Sequence, residues 1–215
     1  MFYYLKYLLA ATILLPAIIG CIRFRKMDPA YYPFLICIIL AAVNEIITFL
    51  LANAGFSSAY FFNTYSFIES ILLFVQFMLW RTYRLVTLKT IIGVLTITLF
   101  YVVSMFIISS GEAESIFMIG YAILLLILSL NEISHQLITT TNQLVKNANI
   151  LIPFGLIIFY TYAIFIEVFW WYSHTETSVL SSKIYDIIPF INFFVNLIFA
   201  YAILWIPRKQ KFILQ

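Results

Sequence analysis

Seven long apolar runs, separated by short polar stretches, constrain the fold of this chain more than any other feature of its sequence. They cover residues 3–22, 31–52, 59–80, 91–108, 116–130, 150–172 and 184–206. All but the fifth have the roughly 17–25 residues that a helix needs to cross a bilayer, and the fifth reaches that length if it continues toward Ile138. Because the runs are continuous rather than alternating, a β-barrel is excluded. The sequence predicts an all-α bundle of seven transmembrane helices, with residues 1–215 as a single domain.

The composition agrees with this class. The chain is 64% hydrophobic and 10% charged, with a mean hydropathy of +1.04, whereas ordinary soluble domains are about 25% charged. The lipid bilayer is therefore the first expected partner. The net charge of +3 is modest and does not indicate nucleic-acid binding.

Lysine and arginine are unevenly shared between the two ends of the predicted helices. One side holds only Lys6 and Lys183 of the 12 basic residues, and the loops after helices one and three, the segment before helix six and the C-terminal tail hold the rest. Loops rich in these residues stay in the cytoplasm. We therefore expect a multi-pass membrane protein with the N-terminus outside and the C-terminus in the cytoplasm.

The third run carries one carboxylate, Glu69, near its midpoint. At a rise of 1.5 Å per residue, Glu69 lies roughly 15 Å below the outer end of its helix. A charge at the centre of a bilayer costs about 2.5–3.5 kcal/mol on insertion scales. Glu69 must therefore be protonated, hydrogen-bonded to other side chains or hydrated by a cavity.

Four further polar side chains are predicted between the outer surface and about the midplane. Glu45 lies on helix two, Glu167 on helix six, and Asn192 and Asn196 on helix seven. Residues three, four or seven apart share a helix face, which aligns Tyr65 with Glu69 and Tyr160 with Glu167. Asn44 lies beside the face that carries Glu45. We expect these faces to converge in a polar pocket that opens outward. The predicted ligand-binding residues are Asn44, Glu45, Tyr65, Glu69, Tyr160, Glu167, Asn192 and Asn196.

A structural interpretation of the same residues stays open. Asn196 and Gln76 are typical of residues that only join helices by hydrogen bonds, and Glu167 lies close enough to the surface to reach water. Glu45 and Glu69 could form a protonated structural pair instead of a site for a ligand, proton or cation.

No sequence motif indicates an enzyme. The HExxH, CxxC, GxSxG, P-loop and GxGxxG patterns are absent, and His135 and His174 both lie outside the predicted membrane core. Helix seven has no central lysine that could carry retinal. We expect no catalytic residues, no metal and no cofactor.

Residues 131–149 form the one sizeable polar segment. Leu130, Ile133 and Leu137 have helical spacing, which predicts that helix five continues into the cytoplasm. The segment is either a solvated connection or a docking surface for a membrane or cytoplasmic protein partner.

Two resemblances add to this interpretation. Pro33-Phe34 precedes Glu45 much as Pro153-Phe154 precedes Glu167, which pairs helix two with helix six. Phe67-Ile68-Glu69 precedes Leu79-Trp80 much as Phe190-Ile191-Asn192 precedes Leu204-Trp205, which pairs helix three with helix seven and leaves helix four between the halves. This plan of three, one and three helices resembles the SWEET sugar exporters, which implies a solute site between the halves. The Pro-Gln signature of those exporters is absent, because Ala17 follows Pro16. Only the plan therefore carries over.

Over most of its length the chain also resembles small seven-span bacterial inner-membrane proteins. The carrying pieces are YSFIES at 65–70, PFGLIIFYTY at 153–162 and the pair of Asn192 and Asn196. That resemblance implies a multi-pass protein of the bacterial inner membrane and no established activity. The sequence thus favours a receptor-like or sensory module that binds a small polar or cationic ligand or a proton. A small-solute or proton-coupled transporter is the alternative, and a structural subunit of a membrane complex is the third.

Overall fold

A computed structural model describes residues 8–82, 87–107, 113–139, 144–173 and 187–209. Within these ranges the regular structure is helical, apart from one antiparallel bridge between Met27 and Arg208. The predicted all-α class is confirmed for this part of the chain. Lys6, Lys183 and His174 lie outside the described residues, and which side of the membrane each terminus occupies stays a prediction.

Seven described helices are long and apolar enough to cross a membrane, with spans of 18 to 25 residues. This is the architecture of a multi-pass membrane protein, as the seven apolar runs predict. The helices are α1 (Leu14–Arg23, within a span that begins at Leu8), α2 (Tyr32–Asn53), α3 (Ala59–Thr82), α4 (Leu88–Ile107), α5 (Ala113–Thr139), α6 (Ala148–Ser173) and α7 (Ile188–Trp205).

Local sequence explains both ends of α2. At its start, the Asp28 carboxylate accepts a hydrogen bond of 2.9 Å from the Ala30 N–H and caps a 3₁₀ turn that leads into the helix. At its end, Gly55 adopts a φ of 76°, a left-handed conformation that glycine reaches without steric cost. The Phe56 N–H then donates to the Leu51 carbonyl at 2.9 Å. This Schellman arrangement satisfies carbonyls that the helix end would otherwise leave free.

The helices form a closed ring. Each of α1 to α6 packs against the next helix in the chain, α7 packs back against α1, and α3 also contacts α5. Close packing of α6 on α7 depends on Gly155, because a Cβ built there would lie 2.6 Å from Cε1 of Phe199. The ring leaves a space between α1, α2, α3, α6 and α7, where the candidate site lies.

The first and last spans are also tied together at one end of the bundle. Arg23 donates through Nη1 to the Leu204 carbonyl and through Nη2 to the Ile206 carbonyl. These carbonyls belong to the last turn of α7, where helical partners run out. The arginine therefore caps α7 from α1 and closes the ring.

Candidate functional site

A cavity of about 160 Å³ lies inside the ring. Six of the eight residues predicted for ligand binding line it, and they come from α2, α3 and α7: Asn44, Glu45, Tyr65, Glu69, Asn192 and Asn196. The predicted convergence of these three helix faces is therefore present in the structure. Ligand binding by these residues stays a prediction.

Glu69 lies at the centre of a hydrogen-bonded group between α3 and α5. Its side chain is 9% exposed. Oε1 accepts a hydrogen bond of 2.9 Å from the Tyr65 hydroxyl on its own helix, and Oε2 accepts one of 3.3 Å from the Tyr121 hydroxyl on α5. Two phenolic donors thus replace part of the hydration that the carboxylate loses on burial. Glu69 remains a cavity-lining residue despite these partners.

Tyr121 is the main residue that the sequence reasoning missed. It is 3% exposed and lies in an otherwise apolar run, so no polar stripe marks it. A signal was nevertheless present, since its hydroxyl is the one oxygen-bearing side-chain group between Ser115 and Ser129. Buried tyrosine hydroxyls usually find a hydrogen-bond partner, and the unpaired carboxylate expected on α3 was the available acceptor.

Tyr160 packs behind this group instead of lining the cavity. Its ring meets that of Tyr121 edge-on, with the centroids 5.7 Å apart, and its side chain is 1% exposed. Its buried hydroxyl makes no hydrogen bond of standard geometry within the described residues, but it lies close enough to the Glu69 carboxylate to interact with it. Tyr160 therefore supports Tyr121 by packing and adds a third phenol to the surroundings of Glu69.

Glu167 also lies away from the cavity lining. It shares a face of α6 with Tyr160, seven residues earlier, and this face packs against α5, where the Glu167 carboxylate interacts with Ser115. The α6 residues that line the cavity are Leu156 and Phe159. The sequence placed Glu167 at about the right depth but could not tell which neighbour its face would meet.

Glu45 differs from Glu69 in its surroundings. It lines the cavity and is partly exposed. Within the described part of the chain, its carboxylate has no hydrogen-bond or ion-pair partner. Thr48, one turn along, has a buried hydroxyl that is also unpartnered there. Glu45 is therefore the carboxylate whose bonding capacity is free for a molecule in the cavity.

The two asparagines of α7 have different environments although they lie one turn apart. The Asn196 Nδ2 donates to the Thr12 hydroxyl oxygen of the first span at 3.0 Å, so this side chain joins two helices. The Asn192 Oδ1 is buried and has no partner among the described residues. The structural interpretation thus fits Asn196, whereas Asn192 offers an unused acceptor to the cavity.

The cavity is polar toward the C-terminal end of α2 and apolar toward its N-terminal end. The apolar end includes Phe34 and Phe199, whose rings meet edge-on with centroids 5.3 Å apart. Below them, Gln76 is 1% exposed. Its Oε1 accepts from the Phe34 N–H at 2.9 Å, and its Nε2 donates to the Ala30 carbonyl. These contacts close the apolar end and support the joining role considered for Gln76.

The lining chemistry favours hydrogen-bond donors and positive charge. Two carboxylates and the Asn192 carbonyl oxygen face the cavity, and no lysine or arginine is among its described lining residues. Phenylalanine rings on four helices complete the wall, and the face of an aromatic ring attracts a cation. In the described ranges, histidine, cysteine, aspartate and glutamate do not gather in threes as metal ligands would.

The segment predicted at 131–149 is partly folded onto the bundle. Glu132 is 2% exposed and accepts a hydrogen bond of 2.8 Å from Gln136 Nε2, and Gln136 Oε1 accepts one of 3.2 Å from Asn147 Nδ2. Leu137 and Ile138, in contrast, are 52% and 84% exposed. The predicted continuation of helix five is confirmed, since α5 ends at Thr139.

Comparisons with models of protein families, with curated proteins and with solved structures gave no match. The fold and the cavity thus define a class, a seven-helix multi-pass membrane protein with an acidic, partly aromatic cavity.

Proposed function

We propose that this protein is a receptor-like or sensory module of the bacterial inner membrane that binds a small polar or cationic ligand, or a proton, in the cavity. The proposal depends on one observation: Glu45, Glu69 and Asn192 line the same cavity, and no described lysine or arginine lines it. A purely structural pair of acids would not need a cavity beside it. An unpartnered carboxylate and an unpartnered amide oxygen are the groups that a cationic hydrogen-bond donor would satisfy.

The proposed orientation has the N-terminus outside and the polar end of the cavity toward the outer surface. It depends on the basic residues, since Arg23, Lys26, Lys146 and Lys209 gather at the end of the bundle opposite to the polar end of the cavity. By the positive-inside rule this end is cytoplasmic.

Binding is favoured over transport because the cavity is closed on the side proposed to be cytoplasmic. The rings of Phe34 and Phe199 are in contact at that end of the cavity, and Gln76 is hydrogen-bonded to the start of α2 just beyond them. A solute that moved from the cavity toward the cytoplasm would have to pass both contacts. Transport, the alternative function, would require these contacts to separate in each cycle.

Helix α5 is the proposed output element. Near one end its Tyr121 hydroxyl contacts the Glu69 carboxylate, and at the other end Leu137 and Ile138 expose apolar side chains. A ligand that competes for Glu69 would weaken the bond to Tyr121 and change the packing of α5. In this proposal a membrane or cytoplasmic protein partner reads that change through residues 131–149.

The test is a thermal-stability screen of the purified protein in detergent against small amines, neutral polar solutes and carboxylates. A ligand of the proposed class raises the melting temperature of the wild type. The increase should be lost in Glu45→Gln and Glu69→Gln. It should be kept in Glu167→Gln, a matched variant whose carboxylate lies outside the cavity lining.

Flux measurements in proteoliposomes separate sensing from transport. We expect no uptake of a ligand that the screen identifies. Uptake that Glu69→Gln abolishes would instead establish the transporter alternative. The proposed site would be contradicted if only carboxylates raised the melting temperature of the wild type. It would also be contradicted if a ligand raised the melting temperature equally in all three variants.

A further inference from the structure

Two short basic segments are held side by side at the end of the bundle where α1 and α7 meet. The Lys209 N–H donates to the Lys26 carbonyl at 2.9 Å, and the Asp28 N–H donates to the Pro207 carbonyl at 3.0 Å. These bonds flank the antiparallel bridge between Met27 and Arg208. The backbone of Lys26, the last residue of a 3₁₀ turn, is therefore bonded directly to that of Lys209.

This pairing places two like charges together without a described counter-charge. Like charges on residues whose backbones are in direct contact repel each other. Both lysines are exposed. Asp28, the nearest acid in the chain, already accepts from the Ala30 N–H. Within the described residues, no carboxylate pairs with either lysine.

Other basic residues meet at the same place. Arg23 uses two N–H groups on carbonyls of α7, which leaves further donors on its guanidinium. Lys146 Nζ lies 5.1 Å from the centroid of the Trp205 ring, so the start of α6 joins the group. We name this set the basic clasp: Arg23, Arg25, Lys26, Lys146, Arg208 and Lys209.

We propose that the basic clasp binds the phosphate of an anionic lipid headgroup. It lies at the ends of two membrane spans, Leu8–Lys26 and Ile188–Trp205, which is the depth of headgroups. Trp205, 38% exposed, is of the residue type that lies at this interface. Basic clusters next to a membrane span attract anionic lipids, and a phosphate between Lys26 and Lys209 would remove their repulsion. This proposal is independent of the cavity and its ligand.

The test uses the purified full-length chain in uncharged detergent, titrated with phosphatidylglycerol, phosphatidylcholine or inorganic phosphate. The melting temperature and the lipids retained in native mass spectrometry are measured. The variants are Lys26→Gln/Lys209→Gln, the single variant Lys209→Gln, and Lys89→Gln as a matched control, an exposed lysine at the start of α4. Phosphatidylglycerol should stabilise the wild type and Lys89→Gln. The double variant should need at least about tenfold more phosphatidylglycerol for the same increase in melting temperature.

A second result follows from the repulsion. Without lipid, Lys209→Gln should melt no lower than the wild type, because the variant removes a like-charge contact. The proposal would be overturned if phosphatidylglycerol raised the melting temperature of the wild type and the double variant equally. It would also be overturned if phosphatidylcholine stabilised the wild type as much as phosphatidylglycerol does. Inorganic phosphate that stabilises at the same concentration as the lipid would also overturn it, since the site would then be one for free anions. If the double variant does not fold, the single variant Lys209→Gln is compared with the wild type in the same lipid titrations, and an equal response to phosphatidylglycerol would again overturn the proposal.

Discussion

The Tyr121 hydroxyl donates to the Glu69 carboxylate at 3.3 Å and joins two helices across 52 residues of sequence. In this way the buried acid of α3 is bonded to α5, which at 27 residues is the longest of the described helices. The bond links the cavity to α5 and gives the first of four predictions.

Tyr121→Phe should cost little stability but should change the response to ligand. Interhelical hydrogen bonds in membranes contribute on average about 0.6 kcal/mol, and the ring keeps its packing against Phe117 and Tyr160. We therefore expect a fall of a few degrees or less in the melting temperature. A ligand that raises the melting temperature of the wild type should still bind this variant, while hydrogen exchange in residues 131–139 should no longer respond to it.

Tyr201→Phe is the control for this experiment, because Tyr201 is 38% exposed on α7, its ring packs against Trp205, and it is not among the residues that line the cavity. A response at 131–139 that is the same in the wild type and in Tyr121→Phe would exclude Tyr121 from the link to α5.

Asn192→Leu and Asn196→Leu should move stability in different directions. Removing the Oδ1 of Asn192 takes away a buried acceptor that no described residue satisfies, so this variant should be neutral or stabilising without ligand. Asn196→Leu breaks the bond to Thr12 and should lower stability by about 0.6 kcal/mol. Thermal unfolding of both variants in one detergent measures the difference. Equal losses would mean that Asn192 is held by contacts other than those described.

Gln76→Leu should be among the most damaging single changes in the bundle. It leaves the Phe34 N–H and the Ala30 carbonyl without the partner they have in the wild type, and each orphaned buried group costs about 1–3 kcal/mol. Thr96→Val is the control, because Thr96 is exposed and bonds only to a carbonyl of its own helix. A melting temperature of Gln76→Leu equal to that of the control would show that the two hydrogen bonds of Gln76 to the start of α2 do not contribute to stability.

Gly155→Ala should disturb both the α6–α7 contact and the cavity wall. Its Cβ would lie 2.6 Å from Cε1 of Phe199, a cavity-lining residue, and such overpacking typically costs about 1–3 kcal/mol. The double variant Gly155→Ala/Phe199→Leu should recover much of the loss, because the smaller side chain makes room. A double variant whose loss is the sum of the two single losses would contradict a direct contact between these positions.

Much of the fold could be predicted because hydrophobic length decides it. Seven apolar runs gave seven helices, and the helical spacing of Leu130, Ile133 and Leu137 correctly predicted the extension of α5. Helix depth follows from residue counts, so the polar residues of α2, α3 and α7 were expected at one level, and the structure brings six of them to one cavity.

The rest could not be predicted because rotation about each helix axis depends on neighbours. Glu167 has the depth of a cavity residue, but its face packs on α5. Tyr121 and Thr12 bond to the predicted residues Glu69 and Asn196, and no spacing rule selects them. The bridge between Met27 and Arg208 joins segments 181 residues apart, and their sequence carries no strand pattern.

The contact of Arg23 with the C-terminal end of α7 joins the first span to the last one made during synthesis. Its two acceptors, the carbonyls of Leu204 and Ile206, exist only after five further helices have been translated. The seam between α1 and α7 is therefore a contact that cannot form cotranslationally until the whole bundle has been made.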